Sequence, residues 1–306
     1  MDMNKFLALT ARYCACIVYA LLLWLPAIAV HAQNGSTPLI WEVRSDSNTI
    51  YLFGTIHVGA RKMYPLSPAV EKAFSDSKVL ALEADPTESG AALDSIASAA
   101  YKPPDNIANH ISPELMGKVE KVVPQIGLPI EYARLMRPAL LAMTIAVMEV
   151  GRQGYDPNLG LDVHFARLAK QQGKPIVELE SLSDQLALLQ GFSPALQAGM
   201  LEAAVESVQS GTLATDLREL VSAWRTGNVD GLLAQLQKDT DDLPPELARE
   251  YDDALYRTRN LGMAQKVTAM LEGSEPTFVA VGAGHLLGPT GLVELLQAKG
   301  YRLRKL

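Results

Sequence analysis

The 306-residue sequence predicts an α/β fold, with a central mixed sheet, two strand-GxxH-helix units at the chain ends and a large helical insertion between them. Three observations predict it. Ile50-Tyr-Leu-Phe-Gly54-Thr-Ile-His57 and Phe278-Val-Ala-Val-Gly282-Ala-Gly-His285 align without a gap, each an apolar strand, a glycine and a histidine three residues later. Apolar runs of strand length gather at the two ends, whereas helical periodicity dominates from about Thr87 to Gly273. No linker rich in Gly, Ser or Pro divides residues 33–306, which argues for a single domain.

The first 32 residues read as a signal peptide. Lys5 and Arg12 precede the apolar run from Tyr13 to Leu25, which ends at the helix-breaking Pro26 and is followed by Val30-His31-Ala32, a small-residue cleavage pattern. The mature chain then begins at Gln33, is exported to the periplasm or secreted, and keeps no stable membrane span. Tyr13 to Val30 is about 18 residues, near the lower limit for crossing a bilayer, so an uncleaved anchor is the competing arrangement.

Leu39-Ile-Trp-Glu-Val43 and Thr49-Ile-Tyr-Leu-Phe53, joined by Ser45-Asp-Ser-Asn48, form a predicted hairpin. A helix over about Ser67 to Ser77, with Pro68 in its first turn, leads into the strand Lys78 to Glu83, a grammar that implies a right-handed parallel pairing. Ser112-Pro113 starts the next helix; Pro138 to Val150 is apolar nearly all round and so belongs inside the protein. Gly160 to Gln172 is a helix and Lys174 to Glu180 a buried strand. Further helices start near Pro194, Leu213, Val229 and Pro245. Pro276 to Val281 is a strand, Leu286 to Lys299 is largely helix, and Gly300 to Leu306 is a last strand.

The net charge of −7, or −8 once residues 1–32 are removed, argues against nucleic acid as a partner. Both cysteines, Cys14 and Cys16, leave with the signal peptide, so no disulfide, catalytic thiol or thiolate metal site is available. Chemistry falls to His, carboxylates, hydroxyls, Arg and Lys.

Two of the four mature histidines, His57 and His285, stand in the Gly-x-x-His setting, roughly a one-in-thirty coincidence at ordinary glycine frequency. Glycine permits a sharp turn, and open α/β sheets place ligands beyond the carboxyl ends of their strands. Glu83 closes the strand after the first histidine; Glu178 and Glu180 close the strand of the insertion. Two imidazoles and a carboxylate can hold a divalent metal with an open position for water, or one imidazole and one carboxylate can activate water directly. His57, Glu83 and His285 are therefore the candidate metal-binding and catalytic residues. Arg137, ahead of the buried helix, could clamp a substrate carboxylate, stabilise a developing oxyanion, or pair with an acid such as Asp162; Arg259 and Asn260 carry the same ambiguity, and Arg137, Arg259 and Glu180 are the substrate-binding candidates. His110 and His164 lack the glycine setting. The His-Glu-x-x-His helix, the Gly-x-Ser-x-Gly elbow and the phosphate-binding and dinucleotide glycine loops are all missing.

Tyr51-Leu-Phe-Gly-Thr-Ile-His57, Leu82-Glu-Ala-Asp85, Arg137-Pro138, Gly160-Leu-Asp162, Leu179-Glu180 with Gln185, Arg259-Asn260 and Val281-Gly-Ala-Gly-His-Leu286 together resemble the TraB/GumN family. That family is similar to the Tiki metalloproteases and more remotely to erythromycin esterases. The resemblance implies a metal-dependent hydrolase, a peptidase using a divalent metal such as manganese or cobalt, with His57, Glu83 and His285 at the family's functional positions. Its substrate would be a peptide or small acyl compound. The other class of function is a non-catalytic protein that binds and sequesters a peptide or other small ligand in the same crevice.

Overall fold

The computed structural model describes residues 38–87 and 100–306; the expected signal peptide and mature terminus lie outside the described residues. One six-stranded sheet organises the chain. Its strands are β1 (Ile40–Arg44), β2 (Thr49–Thr55), β3 (Val79–Leu82), β4 (Ile176–Glu178), β5 (Thr277–Gly282) and β6 (Arg302–Lys305), in the order β4-β3-β5-β2-β1-β6. β4, β3, β5 and β2 run parallel, while β1 is antiparallel to both β2 and β6, so the sheet is mixed.

The two Gly-x-x-His strands are neighbours, with Gly54 opposite Val281 and Thr55 opposite Gly282. Their matched patterns thus meet one residue out of register. β2 and β3 lie parallel in the same sheet but do not pair with each other, because β5 enters from the far end of the chain and separates them. β4 also departs from expectation: it is a three-residue edge strand with Val177 and Glu178 exposed, not a buried one. An edge strand needs apolar side chains on one face only.

Between the strands run α1 (Pro68–Asp76), α2 (Pro113–Val122), α3 (Ile130–Ala133), α4 (Pro138–Arg152), α5 (Leu161–Gln172), α6 (Leu182–Gly191), α7 (Pro194–Ser210), α8 (Thr212–Thr226), α9 (Val229–Asp241), α10 (Pro245–Asp252), α11 (Thr258–Glu272), α12 (Ala283–Leu286) and α13 (Leu292–Ala298). Ser67, Ser112 and Ser193 cap α1, α2 and α7, each with proline in the first turn. The helix expected over Leu286 to Lys299 is shorter, since a turn at Gly288, with φ of 78°, parts α12 from α13. No helix among the described residues is long and apolar enough to cross a membrane.

Two cores result. One joins the sheet to α1, α5, α8 and α11 around the fully buried Phe53, Phe165 and Phe278, with 4.8 Å between the last two ring centres. The other lies among α2, α4, α6, α7 and α10. Each fully buried large apolar side chain contributes about 1.5–3 kcal/mol. Leu82 belongs to the first core and Ala84 to the second, which puts Glu83 on the seam.

Candidate active site

The four parallel strands end on one rim, and the polar residues buried there come from several segments. His57, two residues past β2 and 5% exposed, leans on the start of α5. Asp162 accepts a hydrogen bond from His57 Nδ1 at 2.7 Å through Oδ2 and from the Thr55 hydroxyl at 2.8 Å through Oδ1. The first turn of a helix is a favourable place for a carboxylate, because its unpaired N–H groups carry partial positive charge. Gly160 allows the approach: a Cβ there would lie 2.3 Å from the His57 carbonyl oxygen. Burial disfavours the charged imidazole, but Asp162 outweighs burial by its charge and its hydrogen bond and raises the His57 pKa.

His285 sits on α12 and is 1% exposed. Its Nδ1 lies 2.6 Å from Asn260 Oδ1, and Asn260 Nδ2 donates to the Thr290 carbonyl at 2.9 Å. The second bond fixes the amide, so its oxygen must accept and His285 Nδ1 must carry the proton. Nε2 then presents a lone pair, 3.7 Å from Glu83 Oε2. Burial lowers the His285 pKa to about 3, although Glu83 opposes the shift, and the ring is neutral at neutral pH.

Glu83 is 3% exposed and fully engaged. Oε1 accepts from the Gly282 amide at 2.6 Å; Oε2 accepts from Arg259 at 2.8 Å and Gln185 at 3.2 Å. Burial opposes its charge, yet His285, Arg259, His57 and the Gly282 amide together hold its pKa down at about 2. With the His285 ring neutral, Arg259 is the lasting cation beside it. Arg259 also forks onto both oxygens of Glu180, with bonds of 2.9, 3.0 and 2.6 Å. A bidentate guanidinium with two carboxylates is a charge-assisted network that repays desolvation only because nearly every donor is used.

The rim therefore brings together His57, Glu83, Glu180, Arg259 and His285. Arg137 is not part of that network: it caps α4, lies 5.4 Å from the Tyr101 ring, and its buried Nε has no hydrogen-bond partner. The alternative pairing of Arg137 with Asp162 is not formed; Asp162 bonds His57 and Thr55 instead. Glycine's part in the first motif also differs from expectation. Gly54 does not adopt a left-handed turn; a Cβ on it would meet Ala283 Cα at 3.2 Å, so glycine lets the two strand ends close.

Sequence reasoning offered Asp162 only as an acid for Arg137 to pair with, left Asn260 with the same ambiguity as Arg259, and gave Gln185 no role; it linked none of them to the histidines. A signal was present for the first two. Asp162 heads the buried stripe that continues with Phe165, Ala166 and Ala169, and Asn260 heads Met263, Ala264 and Val267. A polar residue at an apolar stripe position needs a buried partner, and each partner is a site histidine.

Tyr256 was also missed. It lies on the π-helical turn Asp253–Arg257 between α10 and α11, its ring centre 5.6 Å from that of His285. Its hydroxyl is buried without a hydrogen-bond partner, a state that costs about 1–3 kcal/mol.

Among the described residues no group of three or more His, Cys, Asp or Glu side chains is arranged to hold a metal ion. Glu83 Oε2 and His285 Nε2 nevertheless are two electron-pair donors facing each other with no proton between them, a donor pair that a divalent cation fits. Asp162 behind His57 and Asn260 behind His285 are the kind of outer hydrogen bonds that orient metal-ligating imidazoles.

Comparison with known proteins finds relatives over most of the chain. The chain is 27% identical over 269 residues to the uncharacterized protein YbaP of Escherichia coli (strain K12), covering 88% of this chain and 96% of that one. It is 22% identical over 330 residues to the metalloprotease TIKI1 of Danio rerio, covering 89% of this chain and 63% of that protein. A metalloprotease TIKI homolog of Amphimedon queenslandica is 24% identical over 329 residues, with 90% and 63% covered. No solved structure matches. The family pattern extends over residues 39–305, from β1 to the end of β6, and by that match the chain belongs to the TraB/PrgY/gumN family.

Proposed function

We propose that this chain is an exported metal-dependent hydrolase that cleaves peptides or similar acyl substrates at the rim formed by His57, Glu83 and His285. The observation that carries the reading is the 3.7 Å approach of His285 Nε2, whose ring is held by Asn260, to Glu83 Oε2, an oxygen that Arg259 and Gln185 keep in place, so that two buried electron-pair donors face each other. Likeness to the Tiki metalloproteases supports it.

His285 and Glu83, with His57 beside them, are the residues that would hold a divalent ion such as manganese or cobalt. A bound ion would supply Lewis acidity and an activated water. The chain's own residues do the rest. Asn260 and Asp162 keep the two rings in fixed tautomers. Arg259 maintains Glu83 as an anion, and a carboxyl held at about 2 serves as a charged ligand better than as a proton acceptor. Glu180 neutralises the remaining face of Arg259. Burial of all three side chains keeps bulk water away from the charges that would act on a substrate.

The test uses protein recovered from its native host. Mass spectrometry should find a terminus near Gln33, and a full-length membrane-held chain would establish the anchor instead. A peptide library incubated with the purified chain should yield cleavage that a chelator abolishes and manganese or cobalt restores. Peptide binding without cleavage under every metal would establish the sequestering protein.

A further inference from the structure

We infer that Tyr256 is the hydrogen-bond donor to the carbonyl oxygen of the bond being cleaved, an inference that rests on the hydrolase reading. Its phenol is 9% exposed overall, and the hydroxyl oxygen is enclosed with no partner of its own. The neighbouring Tyr251, 6.5 Å away between ring centres, directs its hydroxyl at Asp239. One of two adjacent buried tyrosines is thus satisfied inside the protein and the other is not.

The backbone that presents Tyr256 is unusual in the same place. A π turn adds a residue to a helix and rotates the side chains that follow; such turns occur often at functional sites. Here it lies between α10 and α11, and Arg259 ties it to the charge cluster by donating from Nη1 to the Leu255 carbonyl at 3.2 Å while gripping Glu83 and Glu180. The ring rests against His285 at 54°. Burial pushes the phenol pKa well up, so at neutral pH the group keeps its proton and can only gain from an acceptor. Tyr155 also has an unpartnered hydroxyl, but its neighbour is Lys62 rather than the histidine and carboxylate of the rim.

In the reaction the oxygen of water bonds to the carbonyl carbon, and the π electron pair moves onto the carbonyl oxygen, which accepts the Tyr256 O–H. The pair returns as the C–N bond breaks, and the amine leaves with a proton that came from the water. A donor that meets charge only as it develops lowers the barrier and leaves ground-state binding nearly unchanged.

Tyr256→Phe removes one oxygen and nothing else. With a cleaved peptide as substrate, kcat should fall by about 10²–10³ while KM changes little. A peptidyl phosphinate that mimics the tetrahedral geometry should lose affinity by a similar factor, with bound metal and unfolding midpoint unchanged or the midpoint raised. Wild-type kcat and phosphinate affinity in Tyr256→Phe overturn the inference and leave the hydrolase reading standing. A lowered unfolding midpoint or lost metal accompanying the drop in kcat assigns the hydroxyl to structure and also overturns it. A wild-type chain that cleaves no peptide overturns the hydrolase reading first, before any variant is compared.

Discussion

Asn260 Oδ1 lies 2.6 Å from His285 Nδ1 and decides which nitrogen of that ring faces Glu83. Asn260→Asp keeps the acceptor and adds a charge; Asn260→Leu keeps the volume and removes the acceptor. Loss of such an outer partner costs 10–100-fold in metal affinity or activity. The expected order of kcat/KM is wild type, then Asn260→Asp, then Asn260→Leu, with metal retention following the same order. Equal activity in Asn260→Leu would show that the tautomer does not matter.

Asp162→Asn tests the other histidine through pH. In the metal-free protein the raised His57 pKa means that the folded state binds the proton more tightly than the unfolded one. The resulting stability is complete below the ordinary histidine value of 6.5 and is lost as pH rises through the raised folded value. Wild type should therefore lead Asp162→Asn in thermal midpoint by most at acid pH, and the gap should narrow on the alkaline side. A gap that widens with pH would contradict the assignment.

Arg259→Ala strands two carboxylates, the buried Glu83 and the partly buried Glu180, without their cation. Breaking a buried pair in this way costs about 3–5 kcal/mol, which urea unfolding can read. Arg259→Lys keeps the charge but loses the planar fork, and should retain more stability than activity.

Gly160→Ala places a methyl 2.3 Å from the His57 carbonyl oxygen, a backbone atom that cannot rotate away. We expect a loss of about 1–3 kcal/mol and a fall in kcat/KM. Gly173→Ala, also in α5's cap but with open space around its Cβ position, controls for general helix effects; its left-handed φ of 67° adds strain without touching the site.

The strands and most of the helices were legible because each rests on local rules: alternation or apolar runs for β1, β2, β3 and β5, and Ser-Pro starts for α1, α2 and α7. The clustering of His57, Glu83 and His285 at one rim followed from equivalent positions at strand ends. What stayed hidden was set by packing across long sequence distances. Nothing local to Lys78–Glu83 says that β5 will come between β2 and β3. Nothing local to Arg137 tells whether its guanidinium turns toward Tyr101 or toward Asp162. The stripe positions of Asp162 and Asn260 did carry a local signal, which becomes readable once a polar residue on an apolar face is treated as a search for its partner.

The order of the strands makes the site a late product of synthesis. β2 and β3 leave the ribosome early, yet each obtains its shared neighbour only when β5 emerges about two hundred residues later. Until then two separate strand edges stand open, and contacts of such separation form slowly. The same late segment delivers Gly282, whose amide binds Glu83, and His285 itself. A nascent or truncated chain thus has only one of the two site histidines and no closed rim, and assembly of the sheet and acquisition of chemical competence are a single event.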